Sequence, residues 1–448
     1  MLMPLFYALT YERRLPLMQT LEFEVVHLIC GGIDVHKKSL VAAVCVTDPT
    51  TLEAKYSVKV FNSTNSDIAA LRDWLLAQGC HDVCMESTGK YWIPVFNILE
   101  PHLNVCLTHP KYVKAIKGKK TDKRDAKWIA NLFCFDIVKA SFIPPADIRA
   151  LRELSRYRLK LSYMRSAEKN RYQNSMTISR IRLDCVFTDP FGKSASSIMD
   201  YLLSDKPFDE KECLSLVHGG VKASAEEILD SIRGCEILSE QRFKLSHSKA
   251  HMDFISRSIS ELEQELFRRS RPFNAQIKRI ATVTGITELS ALFILSEIGA
   301  DMSVFESDKH LCSWAGLTPA NNESASKKKS TRCSKAGQYL KPLLIQCALA
   351  AVKSKKEPYF AIKYQRLAKR RGKKKAIIAI ARMMLTCIYH MLTENKDFHP
   401  NDYESVIHPS KQKSVVLNLD NTLQFLREQG ADPETIKLIQ QQCTAQPA

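Results

Sequence analysis

Residues 25–47, VVHLICGGIDVHKKSLVAAVCVT, decide the fold. Two apolar runs flank a polar turn at His36, Lys37 and Lys38, which predicts two strands, with Asp34 at the end of the first. Residues 54–61 alternate as a third strand. Ser66 to Gln78 has the spacing of an amphipathic helix, with Ser66 as its N-cap. DVCME, residues 82–86, is a short strand ending on Glu86, and STGKYW, residues 87–92, opens the next helix. NVCLTH, residues 104–109, is another strand. KTDKRDAKWIANLF, residues 120–133, is helical, with Ala126, Ile129, Ala130 and Phe133 on one face. Three strands, then helix, strand, helix, strand and helix make an α/β domain with a mixed sheet.

Four carboxylates stand out in that domain: Asp34 and Glu86 at strand ends, and Asp122 and Asp125 in KKTDKRDA. The last two are i and i+3 and share a helix face. Each acid alone has an ordinary reading, as a turn cap or a helix-start acid favoured by the dipole. Together, in this strand order, they suit one or two Mg²⁺ ions, whose usual ligands are carboxylate oxygens and which bridge protein to phosphate. Around the acidic pair lie Lys111, Lys114, Lys117, Lys119, Lys120, Lys123, Arg124 and Lys127, either a solvated face or a phosphate guide. The acids beside them favour the guide.

From about 146 to 275 the pattern changes to long helices. Ile255, Ile259, Leu262 and Leu266 keep coiled-coil seam spacing through FISRSISELEQELF, and VFTDPFGKSASS at 186–197 reads as an irregular interruption. Residues 277–299 read as two helices around a turn at Gly285, an arrangement like a helix-hairpin-helix, whose turn can offer N–H groups to phosphate. A Ser/Lys-rich loop at 320–336 follows, then helices at about 338–353 and 374–393 and a polar, peripheral tail after 396.

The 448 residues suit two or three domains, and 45% are hydrophobic, enough for sizeable cores. The net charge of +17 is concentrated: residues 327–375 hold 17 Lys or Arg against one acid, Glu357. Such a segment is the footprint of a polyanion. Tyr359, Phe360 and Tyr364 interleave with its cations. Phe360 reads as a packing residue, while the two tyrosines suit packing or base stacking equally. The 14 cysteines are scattered; Cys80 and Cys84 lack a partner pair for zinc, and Cys45, Cys106 and Cys347 read as buried small apolar residues. No apolar run approaches ~20 residues, so no membrane span is expected. The opening stretch, MLMPLFYALTYERRL, only loosely imitates a signal peptide and reads as an extension, with Met18 as an alternative start. A cytoplasmic location is expected.

GIDVHK, MESTG, KTDKRDA, the helical middle, VTGIT…LSEIG, WAGLTP, SKAGQYLK and RRGKKKA, in this order, resemble the DEDD transposases of bacterial insertion sequences, family 110 and its 1111 subgroup. The resemblance covers about residues 28–390. It implies an α/β RuvC-like, RNase H-type N-terminal domain, a helical coiled-coil middle and an all-α C-terminal transposase domain with a helix-hairpin-helix-like element. The corresponding divisions are an extension at 1–27, the catalytic domain at 28–145, the middle at 146–275, the transposase domain at 276–393 and a tail at 394–448. By resemblance the four catalytic, metal-holding acids are Asp34, Glu86, Asp122 and Asp125. The family's nucleophilic serine falls on Ser324 in GLTPANNES, where Ala325 replaces the usual following glycine and Ser326 and Ser330 are rivals. The residues of that loop would not single out a serine by themselves. Lys119, Lys120, Lys123, Arg124, Lys335, Arg370, Arg371, Lys373 and Lys374 are the nucleic-acid contacts expected. The resemblance implies excision and insertion of a mobile element through strand cleavage and exchange. The expected partners are double-stranded DNA, a structured guide RNA, and a homodimer or homotetramer with the acids of one protomer beside the serine of another. A metal-dependent nuclease or junction resolvase using only the acids is the alternative.

Overall fold

The computed structural model describes residues 24–113, 121–204, 206–319, 322–324, 327–330, 332–408 and 419–444. Residues 1–23 of the extension expected at 1–27, the lysines at 114–120 and Ser326 lie outside these described residues. The backbone divides into two units, Met1–Pro144 and Pro145–Ala448.

The first unit is built on strands β1 (Ile29–Val35), β2 (Ser39–Thr47), β3 (Ala54–Asn62), β4 (Asp82–Glu86) and β5 (Asn104–Thr108). They form one sheet in the order β3-β2-β1-β4-β5. The β1–β2 and β2–β3 pairs are antiparallel; β1–β4 and β4–β5 are parallel. Its helices are α1 (Asn65–Ala77), α2 (Trp92–Leu99), a single turn α3 (Pro110–Val113) and α4 (Asp122–Cys134). Alternation along the strands sorts the side chains into two cores. Ile33, Val35, Val83 and Met85 pack with Ile68, Leu71, Leu75, Val95 and Phe96 on the α1–α2 face. Cys30, Cys45 and Cys84 pack with Ile129, Ala130 and Phe133 on the α4 face.

Two local expectations change. The cap of α1 is Thr64, whose extended backbone lets its hydroxyl accept from the Asp67 N–H; Ser66 is already inside the helix. Residues 87–91 form a turn, with Gly89 at φ +56°, so helix α2 starts at Trp92. Cys80 and Cys84 belong to opposite cores.

Among the described residues the second unit is helical apart from one short ribbon. It contains α5 (Ala146–Ile178), α6 (Leu183–Val186), α7 (Lys193–Leu203), α8 (Glu210–Ser215), α9 (Ala225–Asp230), α10 (Ser239–Arg269), α11 (Asn274–Ala281), α12 (Glu288–Ile298) and α13 (Asp308–Trp314). After the ribbon of β6 (Asn322–Ser324) and β7 (Lys327–Ser330) come α14 (Leu340–Ala351), α15 (Tyr359–Arg371), α16 (Lys373–Glu394), α17 (Tyr403–Ile407), α18 (Leu419–Glu428) and α19 (Pro433–Thr444). Helices α5 and α10 run antiparallel, because Arg158 meets Glu263 while Glu168 meets Ser248. Leu161, Ile255, Ile259 and Leu262 make part of their seam. Farther along, Tyr172, Met176, Leu245 and Met252 close over a separate core built by residues 181–237. The stretch 186–197 is irregular only as far as Gly192, because Lys193 starts α7.

The α11–α12 turn presses Gly285 against α14, where a Cβ would crowd the Ala351 nitrogen at 2.6 Å. Helix α16 is apolar and long enough to cross a bilayer by composition, which the sequence reading overlooked. Its Ile380, Met384, Leu385 and Ile388 are buried within the unit, as in a core helix. Tyr359 is buried with Phe360, so the stacking alternative for it falls away. The Tyr359 hydroxyl donates to Asp402 at 2.6 Å, and Phe398 stacks on Phe360. The start of the tail is therefore integral to the unit, held by aromatic contacts that its polar composition concealed.

Candidate functional site

The α4 face of the sheet gathers the acids. Cys30, Gly32 and Asp34 alternate onto that face along β1, as do Asp82, Cys84 and Glu86 along β4. The register Ile33↔Met85 sets Asp34 level with Glu86 at the parallel strand ends. Gly32 then fixes the helix above them. A Cβ on Gly32 would overlap the Ala126 carbonyl and the Ala130 backbone, so only glycine lets α4 sit this close. Helix α4 begins at Asp122, and its first turn carries Asp122 and Asp125. The apolar face that drives this docking is Ala126, Ile129, Ala130 and Phe133.

Asp34 is 6% exposed. Burial raises its pKa; His36 opposes the rise, and Asp125, Asp122 and Glu86 add to it by repulsion. The other three acids therefore lie near enough to act on the charge of Asp34, but of the four only Asp34 and Asp122 fall in the group of ligand atoms described below. Glu86 is half-buried and accepts from the Thr88 hydroxyl at 2.9 Å. His36, just past the end of β1, places Nε2 3.1 Å from Asp34 Oδ2 and 3.6 Å from Asp122 Oδ1. One ligand atom from each of Asp34, His36 and Asp122 lies within 4.8 Å of the others. The turn reading of His36 holds, since its N–H donates to the Ser39 carbonyl; the closeness of its ring to Asp34 and Asp122 was not read from the sequence.

Lys123 and Arg124 are exposed on α4. Lys127 instead lies over the Tyr56 ring, 5.2 Å from its centroid. Lys119 and Lys120 belong to the residues outside the description.

Ser324 belongs to the second unit, at the end of β6, where it pairs with Lys327 of β7. The ribbon rises from a fixed stem. Pro319 bridges Cys333, and the Lys341 ammonium donates to the Ser334 carbonyl at 3.0 Å. Gly316 and Gly337 cross with no room for side chains: a Cβ on Gly316 would strike the Ala336 carbonyl, and one on Gly337 the Ala315 carbonyl. Beside the stem, Arg156 of α5 stacks over the Tyr339 ring at 4.2 Å and forms a two-pronged pair with Glu297 of α12, at 2.7 and 2.8 Å. Arg152 donates to the Ser296 and Glu297 carbonyls. This network was not read from the sequence, since its partners are about 140 residues apart.

Lys335, Arg370, Arg371, Lys373 and Lys374 are exposed. The last four surround Gly372, where α15 ends and α16 begins.

A mixed sheet in this order, with acids at the ends of two neighbouring strands and on the covering helix, defines an RNase H-like DEDD-type domain joined to a helix-rich remainder. Residues 31–179 match the model of DEDD transposases of the IS110 type, and residues 277–365 match that of the "Transposase IS116/IS110/IS902 family". The chain belongs to the IS110 family of transposases. It is also 32% identical over 155 residues to pilin gene-inverting proteins of Moraxella bovis and Moraxella lacunata, covering 33% of this chain and 48% of each relative. The chain thus spans about half the length of the curated relatives it matches.

Proposed function

We propose that this protein is a DNA transposase and recombinase that moves an insertion sequence by strand cleavage and exchange. The observation that carries the reading is the convergence of Asp34, Glu86, Asp122 and Asp125 at one sheet end, in a chain of this family. Four carboxylates, one of them almost wholly buried with a raised pKa, suit a divalent cation: without one their charges repel, and with one they are its natural oxygen ligands. Asp34, Glu86, Asp122 and Asp125 would hold one or two Mg²⁺ ions, whose chemistry there is to offset charge on a phosphodiester in transit.

Ser324 is the proposed nucleophile. Its Oγ forms a bond to phosphorus, the bond from phosphorus to the leaving deoxyribose oxygen breaks, and that oxygen takes up a proton. Attack by the freed hydroxyl of another strand on the phosphoserine link then exchanges strands and releases the serine. In this reading two protomers assemble each site, the acids coming from one and the serine from the other, in a homodimer or homotetramer. Double-stranded DNA is the substrate, and a structured RNA selects it by base pairing while the protein holds the backbone. Lys123, Arg124, Lys335 and the cations around Gly372 are the proposed phosphate contacts. Lys373–Lys375 occupy the first turn of α16, where the helix dipole disfavours cations, an arrangement a bound polyanion would relieve. The turn at Gly285 is a further proposed phosphate contact. Action on the nucleoid places the protein in the cytoplasm.

A denaturing gel on the full chain, its co-purified RNA and labelled element ends tests the serine. The wild type should give a covalent protein–DNA species, and Ser324→Ala should give neither that species nor cleavage. Mg²⁺-dependent cleavage surviving in Ser324→Ala would favour the nuclease that uses only the four acids.

A further inference from the structure

The four acids explain the charge of the site but leave His36 unexplained. We propose that His36 is a direct ligand of the divalent-metal site, adding a nitrogen donor beside Asp34 and Asp122, and that this nitrogen inclines the site toward manganese-type ions over magnesium. The inference rests on the reading of the acids as metal ligands.

Position argues first. The His36 N–H donates to the Ser39 carbonyl at 2.9 Å, which closes the β1–β2 hairpin and fixes the backbone at this residue. The side chain is 43% exposed and could extend into water; instead its ring lies against carboxylates from two separate elements, β1 and α4. A histidine serving only to hold Asp34 would need one of them.

Spacing argues next. Around one ion with bonds of about 2.1 Å, neighbouring ligand atoms lie about 3 Å apart and opposite ones about 4.2 Å. The 3.1 Å and 3.6 Å separations from His36 Nε2 fall in that range, and all three ligand atoms sit within 4.8 Å of one another. A cation could therefore be received between them with little rearrangement.

Chemistry supplies the consequence. An oxygen-only set suits Mg²⁺, whereas imidazole suits transition ions and strengthens along the series from Mn²⁺ upward. One imidazole among carboxylates keeps Mg²⁺ acceptable while raising the affinity for Mn²⁺.

Pulsed electron paramagnetic resonance of the full chain loaded with substoichiometric Mn²⁺ tests this without any turnover. The expected result is nitrogen modulation of the Mn²⁺ signal in the wild type, absent in His36→Ala and His36→Gln. The two variants should also bind Mn²⁺ about tenfold more weakly while the Mg²⁺ dissociation constant changes much less. Bound Mn²⁺ without nitrogen modulation in the wild type overturns the role of His36 and leaves the acids standing; this outcome needs no variant to fold. Equal Mn²⁺ affinity in wild type and both variants also overturns it. A wild-type chain that binds neither ion overturns the reading of the acids themselves, and the inference with it.

Discussion

The acid site and the serine ribbon are anchored in different ways. Each carboxylate sits on, or one turn into, a regular element, and Gly32 lets α4 press onto β1 so closely that the helix has one seat. Ser324 stands at the end of a three-residue strand, on a ribbon whose stem is held where Gly316 crosses Gly337 and Lys341 ties down Ser334. Metal ligation requires several atoms placed within a few tenths of an ångström, which packed elements provide. The proposed nucleophile needs one atom delivered to a phosphate, and a ribbon on a firm stem is suited to that. The comparison also separates two kinds of damage: loss of chemistry at the acids, and loss of support at the stem.

The largest expected effect lies on the acid side. Asp122→Asn or Glu86→Gln should lower strand cleavage by about 10³-fold, the scale seen when a preorganised charge stabiliser is removed. Asp122 is exposed and Glu86 half-buried, so the thermal midpoint should barely move. A parallel loss of fold and activity would erase the distinction drawn here.

On the stem side the expected effect is on stability. Arg156→Ala leaves Glu297, itself 5% exposed, without its two-pronged partner. Breaking a buried pair costs about 3–5 kcal/mol. Arg156 is one-third exposed and Arg152 still lies 3.9 Å from Glu297, so about 2–3 kcal/mol is expected from chemical denaturation. The variant should still bind divalent metal like the wild type. Weakened metal binding would mean that the two sites are not independently supported.

The smallest effect is one of pH. The raised pKa of Asp34 means that the folded state holds this proton more tightly than the unfolded chain. Metal-free stability is therefore undiminished below the ordinary carboxyl value near 4 and declines as pH rises through the raised value. Asp34→Asn removes that decline. Its midpoint relative to wild type should rise from pH 4 to pH 7 in chelator, and the gain should vanish when saturating Mg²⁺ is added to both. A constant difference between the two across pH would show that burial, and not ionisation, sets the behaviour of Asp34.

The legibility of the two regions differs for a physical reason. Strand ends and an i, i+3 helix pair are local patterns, so Asp34, Glu86, Asp122 and Asp125 could be located from apolar runs before any contact was known. Their register depends on sheet order, which the strand succession constrains. His36 is legible as a turn residue, and it closes the β1–β2 turn through Ser39; that its ring also lies against Asp34 and Asp122 depends on the docking of α4, which no local window contains. Tyr359 was ambiguous because its partners, Asp402 and Phe398, lie about 40 residues downstream. The Arg156–Glu297–Tyr339 network joins three separate helical regions, and no window of sequence contains it. The core at 181–237 shows the same limit: its apolar residues are spaced by short helices whose packing partners come from α5 and α10.

The central claim is that four acids from two strands and one helix form a single divalent-metal site. Calorimetric titration of Mg²⁺ into the full chain, and into Asp34→Asn, Glu86→Gln, Asp122→Asn and Asp125→Asn, tests it most directly. The account predicts saturable binding of one or two ions in the wild type, weakened by each substitution. A wild type that binds no Mg²⁺, or binding that is undiminished in Asp34→Asn, would contradict it.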